Sequence, residues 1–324
     1  ESPIPDSIVE WIEFRNLMNV KFLAEGGFGK VYSATWTPGK ITGWNEMKNT
    51  FVRKSKKVAL KVFNDDGPPG DELFREAHWS QIFTRKRNFR PCVVNILGFT
   101  KNQEGKYGIV LDLCEGGDLR NYLQKHYKTM NWKDKVKVAW DIAFDIQEII
   151  EYRSKQEGEI MGVLPYMAPE LLCGGRKTQE SDIYSFGIIM WTISAGCVPF
   201  NDRHGDPYLA NDIICGLRPS IIPGTSKKYA DLMCKCWAKD PHDRISAKDA
   251  VQILRVLLRD MMENNFIDEY STEKNSSWNP PKFDFSVFLT SERLIISNLT
   301  NSRGNSHSNS DKLILYPKIH DTRN

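Results

Sequence analysis

Residues 21–36 read KFLAEGGFGKVYSATW, and the fold turns on that stretch. Apolar alternation on both sides of Gly26, Gly27 and Gly29 predicts two strands joined by a glycine turn. Taken alone, a glycine-rich hairpin is as readily structural as functional; residues without a Cβ also let backbone amides come close to a phosphate. The next strand-like run, KKVALKVF at 56–63, puts Lys61 inside an apolar strand. An ammonium there is costly unless a carboxylate or a phosphate meets it. DELFREAHWSQIF at 71–83 has helical spacing and carries Glu76, which could supply the carboxylate; on its own it reads as an exposed helix acid.

Working outward, TPGKITGWNEMKNTFVRKSK (37–56) is rich in Gly, Pro and Lys and reads as a long exposed loop. CVVNILGFT (92–100) and YGIVLDLC (107–114) read as two more strands, which makes a small, mostly β lobe with one helix. After EGGDLRNYL the character changes. Residues 132–152, 179–196, 226–238 and 246–263 carry amphipathic or buried helical patterns separated by Gly/Pro turns. From about Glu263 the chain is rich in Asn, Ser, Lys and Pro, a composition that cannot offset chain entropy by burial, and it reads as a mainly disordered tail. The expected plan is a lead-in over 1–18, a β-rich lobe over 19–115, a larger helical lobe over 116–262 and a tail over 263–324.

Composition narrows the function classes. A chain of 324 residues that is 40% hydrophobic can build a full core. Lys+Arg 44 against Asp+Glu 41 leaves a net charge of +3, too small to argue for nucleic acid or a membrane surface as the main partner. Seven scattered cysteines without a CxxC pair point to reduced thiols rather than a zinc site. With neither a signal-like start nor an apolar run of membrane-spanning length, the expected location is the cytoplasm.

Together these pieces resemble the eukaryotic protein kinase domain. The resemblance implies an α+β, bilobal fold in which the glycine loop covers ATP, the strand lysine holds its phosphates and a helix glutamate pairs with that lysine. Lys61 and Glu76 match the last two. The loop departs once, since Ala24 stands where the family has its first glycine, followed by Gly26, Gly29 and Val31. By the same match Leu111 is the gatekeeper, the backbone of Asp112 and Cys114 faces adenine, Asp118 lies near the ribose, and Val31 and Ala59 pack on the base. Met167-Ala168-Pro169-Glu170 is similar to the family's A-P-E, and SDIYSFG (181–187) to its buried central helix. Arg244 is then the partner implied for Glu170, in a buried bidentate pair that is structural rather than catalytic. The wording of the helical half looks most like the tyrosine-kinase-like group, including kinases expanded in some fungi, whose members mostly phosphorylate Ser/Thr.

What the family places before A-P-E is absent. The helical pattern ends at Tyr152, Ala168 follows sixteen residues later, and between them should lie H-R-D-x-x-x-x-N, two short strands, D-F-G and the activation loop. None of the six histidines opens an H-R-D, and the nearest D-F-G is Asp284-Phe285-Ser286 in the low-complexity tail. The implied base and both metal ligands are therefore missing. Base loss alone costs about 10²–10⁴ in rate. Sixteen residues reach roughly 55 Å when extended, so the halves can still be joined. The buried acid Asp182, whose implied role is to anchor the catalytic loop, would lack its partner. Two readings result: a pseudokinase with weakened ATP binding and protein partners, or an active Ser/Thr kinase whose sequence here lacks an exon. Mg²⁺ would be held only with the missing segment restored.

Overall fold

The computed structural model describes residues 8–26, 29–63, 94–114, 116–152, 162–203 and 205–263. The expected helix at 71–83, the tail beyond 263 and the junction at 153–161 lie outside the described residues. The chain divides between Asp118 and Leu119 into two compact units.

The first unit is a six-stranded sheet: β1 (Glu10–Trp11), β2 (Leu17–Gly26), β3 (Gly29–Asn45), β4 (Thr50–Phe63), β5 (Ile96–Lys101) and β6 (Tyr107–Asp112), in the order β1-β5-β6-β4-β3-β2. β1 runs parallel to β5 and the other pairs are antiparallel. Within the lead-in set apart above over 1–18, Glu10–Trp11 and Leu17 belong to this sheet, and Ile12 and Leu17 are buried in its core. That core lies on the face carrying Val58, Leu60, Val62 and Val110, while Ile96, Ile109, Phe63 and Leu111 cluster on the opposite face. Period-2 alternation along β4 sorts the two sets.

Residues 37–56 are not a loop. β3 and β4 continue through them as a long two-stranded arm, paired from Lys40–Lys54 to Asn45–Thr50 and closed by a turn at Glu46–Asn49. Thr37, Pro38 and Gly39 sit in a bulge between Trp36 and Lys40, and Thr42 in a second one between Ile41 and Gly43. Gly39 is required by strand approach: its φ is +69°, and a Cβ there would lie 1.8 Å from the Lys54 carbonyl oxygen. In the turn, the Lys48 amide donates to Asn45 Oδ1 at 3.0 Å.

The second unit is helical: α1 (Leu119–His126), α2 (Trp132–Tyr152), α3 (Pro169–Leu172), α4 (Gln179–Ala195), α5 (Leu209–Cys215), α6 (Lys227–Cys236) and α7 (Ala247–Met262). α4 is its centre, buried nearly all round, which explains why its sequence shows no polar stripe. Thr178 and Ser181 close its start as a reciprocal capping box, and Gly196 ends it at φ +71°. Gly187 lets α6 come close, since a Cβ there would sit 2.8 Å from Cys236 Cβ. Among the described residues, no helix is long and apolar enough to cross a membrane.

Candidate functional site

Residues directly opposite in an antiparallel ladder point to the same face. Ala24 pairs with Val31, Val31 with Lys61, and Lys61 with Ile109, so these four form one row across β2, β3, β4 and β6. The next row is Ser33, Ala59 and Leu111. Residues two apart on a strand share a face, so Val31, Ala59, Lys61 and Leu111, picked from separate motifs, lie on one side of the sheet. Ser33, Ile109 and Phe63 share that side; no motif marks them, and only cross-strand register reveals them. The Lys61 ammonium is half-buried and lies 5.2 Å from the centre of the Phe63 ring.

Gly26 pairs with Gly29 at the mouth of the hairpin. Gly29 has a structural reason of its own, because a Cβ on it would stand 2.1 Å from the Val62 carbonyl oxygen. At the end of β6 the groups divide. The Asp112 amide donates to the Asn95 carbonyl (3.0 Å), and the Asp112 carboxylate meets Lys56 Nζ (2.8 Å) and Asn95 Nδ2 (3.2 Å). The Cys114 carbonyl accepts from the Gly117 amide (3.0 Å). Asp118 is exposed at the end of the first unit. Glu76 lies outside the described residues.

In the helical unit, Arg244 donates to Glu170 through Nη1 (2.7 Å) and Nη2 (2.8 Å), to the Glu180 carbonyl (2.8 Å) and to the Ala238 carbonyl (3.0 Å). Its side chain is sealed from solvent. Tyr184 lies between this guanidinium (5.2 Å) and that of Arg218 (4.8 Å); burial pushes its phenol up to about 12, against the pull of both cations. The Ser185 hydroxyl donates to the Tyr166 carbonyl (2.8 Å), tying the turn before A-P-E to α4. Asp182 is not a buried acid without a donor: it is half-buried in the first turn of α4 and pairs with Lys177 at 3.4 Å. The first turn of a helix itself favours a carboxylate there. Lys135, which no motif marks, is buried beneath the Tyr127 ring (4.1 Å) and the Trp132 ring (5.0 Å) and donates to the Ser194 carbonyl (3.3 Å). Burial lowers its ammonium to about 8.

A family model of protein tyrosine and serine/threonine kinases matches residues 17–153 and 144–254. The chain belongs to the protein kinase family. Its similarity extends to Mitogen-activated protein kinase kinase kinase 7 of Bos taurus, 33% identical over 296 residues, taking in 80% of this chain and 47% of the relative. Serine/threonine-protein kinase STY17 of Arabidopsis thaliana is 22% identical over 306 residues, covering 84% of this chain and 50% of that protein. The Proto-oncogene tyrosine-protein kinase ROS of Gallus gallus is 26% identical over 283 residues, covering 71% and 12%. The chain thus spans half the length of these relatives or less. Kinase domains generally use ATP with Mg²⁺ and take proteins as substrates. Among the described residues of this kinase domain, no three His, Cys, Asp or Glu side chains gather as metal ligands.

Proposed function

We propose that this kinase domain is a nucleotide-binding pseudokinase that acts by contacting proteins. The observation that carries the reading is the content of residues 153–167, RSKQEGEIMGVLPYM, which join α2 to the A-P-E turn without a single His, Asp or Asn. In-line phosphoryl transfer relies on an Asp carboxylate acting as base to take the hydroxyl proton and on Asp and Asn oxygens to hold Mg²⁺. The comparisons support it in two ways. The family match is split into two pieces that overlap at 144–153, where the missing segment belongs. The bovine alignment runs over 296 residues yet takes in 80% of a 324-residue chain, so the relative carries several tens of residues with no counterpart here.

The residues that remain fit a nucleotide better than a metal. Val31, Ala59 and Leu111 offer an apolar surface for a flat base, Lys61 on the same face offers a cation for phosphates, and by the family match the backbone of Asp112 and Cys114 faces the base. Site roles for Ala24, Gly26, Gly29, Glu76 and Asp118 follow the family match.

A second reading, an active Ser/Thr kinase whose sequence here lacks an exon, is favoured by the intact motifs on both flanks. A thermal-shift titration with ATP, with and without Mg²⁺, tests the first. Stabilisation by ATP that is the same in EDTA supports it; robust transfer to a protein substrate that disappears in Lys61→Met overturns it. A dominant transcript with an in-frame H-R-D to D-F-G segment between codons 152 and 161 would establish the second reading.

A further inference from the structure

Phe63 lies two residues beyond Lys61 on β4, and residues two apart on a strand share a face, so the two look out on the same side of the sheet as Val31, Ala59 and Leu111. No motif marks Phe63. The Lys61 ammonium is 5.2 Å from the centre of its ring, inside the roughly 6 Å over which a cation is drawn to an aromatic face. Both side chains are half-buried, and this attraction grows as water is removed from around it. The ring is itself held in place: it packs on the apolar cluster of Ile96 and Ile109, and Ile109 is the cross-strand partner of Lys61. A leucine would serve that packing equally well. It would offer the ammonium nothing.

The contact has a direction. Phe63 pairs with Gly29 and Lys61 with Val31, so the Phe63 row is the one beside the glycine turn, while Ser33, Ala59 and Leu111 form the row on the other side of Lys61. A lysine stem is long and flexible, and one that meets Phe63 reclines along its own strand towards the turn instead of folding back over Ala59. Apolar surface and cation are thereby kept apart on one face, with Ala59 and Leu111 left clear and the charge set towards Gly26–Gly29. A free lysine gives up rotamer freedom when it meets an anion. One already resting on a ring has given up part of it beforehand.

We infer that Phe63 is a positioning residue for nucleotide phosphates, its ring holding the Lys61 ammonium towards the Gly26–Gly29 turn before a ligand arrives. The inference rests on the reading of this face as a nucleotide site, and its test keeps the two apart. ATP and adenosine affinities of the full chain are measured by calorimetry in EDTA for the wild type, Phe63→Leu, Phe63→Tyr and a series in which Phe63 is replaced by phenylalanines carrying one, two and three ring fluorines. Phe63→Leu should weaken ATP about three- to tenfold relative to adenosine, and Phe63→Tyr, which keeps an electron-rich ring, should hold the ratio to within about twofold. Each added fluorine drains the ring face at nearly constant size, so the ratio should fall step by step along the series; this arm decides the matter if Phe63→Leu fails to fold. In the nucleotide-free protein, NMR should show the Lys61 side-chain protons, assigned by their loss in Lys61→Met, moved upfield by the ring and returned to ordinary values in Phe63→Leu. Binding of neither ATP nor adenosine by the wild type would overturn the nucleotide reading and this role with it. Binding of ATP with a ratio indifferent to Phe63→Leu and to fluorination, or Lys61 protons without the upfield shift, would overturn this inference alone.

Discussion

Arg244 and Glu170 are 74 positions apart and meet through both guanidinium nitrogens, at 2.7 and 2.8 Å. The arginine also satisfies the carbonyls of Glu180 and Ala238, so one side chain ties the A-P-E turn to the start of α4 and to the segment after α6. Removing one partner of such a pair leaves the other charge buried and uncompensated, at a cost of about 3–5 kcal/mol. Arg244→Ala should therefore destabilise the helical unit by that order, measured by urea unfolding, and Arg244→Lys should recover little because a lysine cannot reproduce the fork. A loss below about 1 kcal/mol would mean that the pair behaves like a surface ion pair.

Lys135 makes the helical unit sensitive to alkaline pH. Its ammonium falls from 10.5 in the unfolded chain to about 8 when buried. Between those values the unfolded state binds more protons than the folded one, so stability contributed at this site rises with pH from about 8 to 10.5 and is at its lowest below about 8. Relative to Lys135→Met, the wild-type chain should gain on the order of 2–3 kcal/mol across that window. Above about 10 the raised phenol of Tyr184 acts in the opposite direction, since the folded state then keeps a proton that the unfolded state has lost. Urea melts of the two proteins at matched pH values would read this, and a constant difference between them would refute it.

How legible these features are in the sequence depends on how local their causes are. The reading of 132–152 as a helix coincides with α2 because an amphipathic 3.6-residue period is written within the segment itself. The arm over 37–56 defeats the same logic. Both of its faces are exposed towards the end, so no period-2 contrast exists, and Pro38 and Gly39 serve a bulge while Gly43 pairs with Val52 in the ladder. Val31, Ala59, Lys61 and Leu111 could each be named from motifs, but Ser33 and Ile109 join them only through register, which depends on strands far apart in the chain. Lys135 looks like a surface residue in WKDKVKV; the Tyr127 and Trp132 rings that cover it are known only from the fold.

Gly187 offers a test of how tightly the helical unit is packed. A methyl group there would meet Cys236 Cβ at 2.8 Å, and both residues lie in buried helices that cannot easily part. Gly187→Ala should cost about 1–3 kcal/mol through overpacking, despite the better helix propensity of alanine. A gain in thermal stability would show that α4 and α6 can separate at little cost.

The sheet face that gathers Val31, Ala59, Lys61 and Leu111 makes a separable prediction about nucleotide. Ala59 is buried in the middle of a row, between Ser33 and Leu111, so Ala59→Phe would fill the surface proposed for a base while leaving the backbone ladder intact. The thermal shift given by ATP should disappear in this variant, whose free protein should itself melt at a lower temperature because the added ring overpacks a buried position. Lys61→Met removes the cation and should weaken ATP far more than adenosine, because only the former carries phosphates for the ammonium to meet. Gly29→Ala, by contrast, forces a Cβ against the Val62 carbonyl and should lower the stability of the sheet whether or not nucleotide is present. If ATP stabilises Ala59→Phe as well as it does the wild type, the nucleotide does not bind on this face.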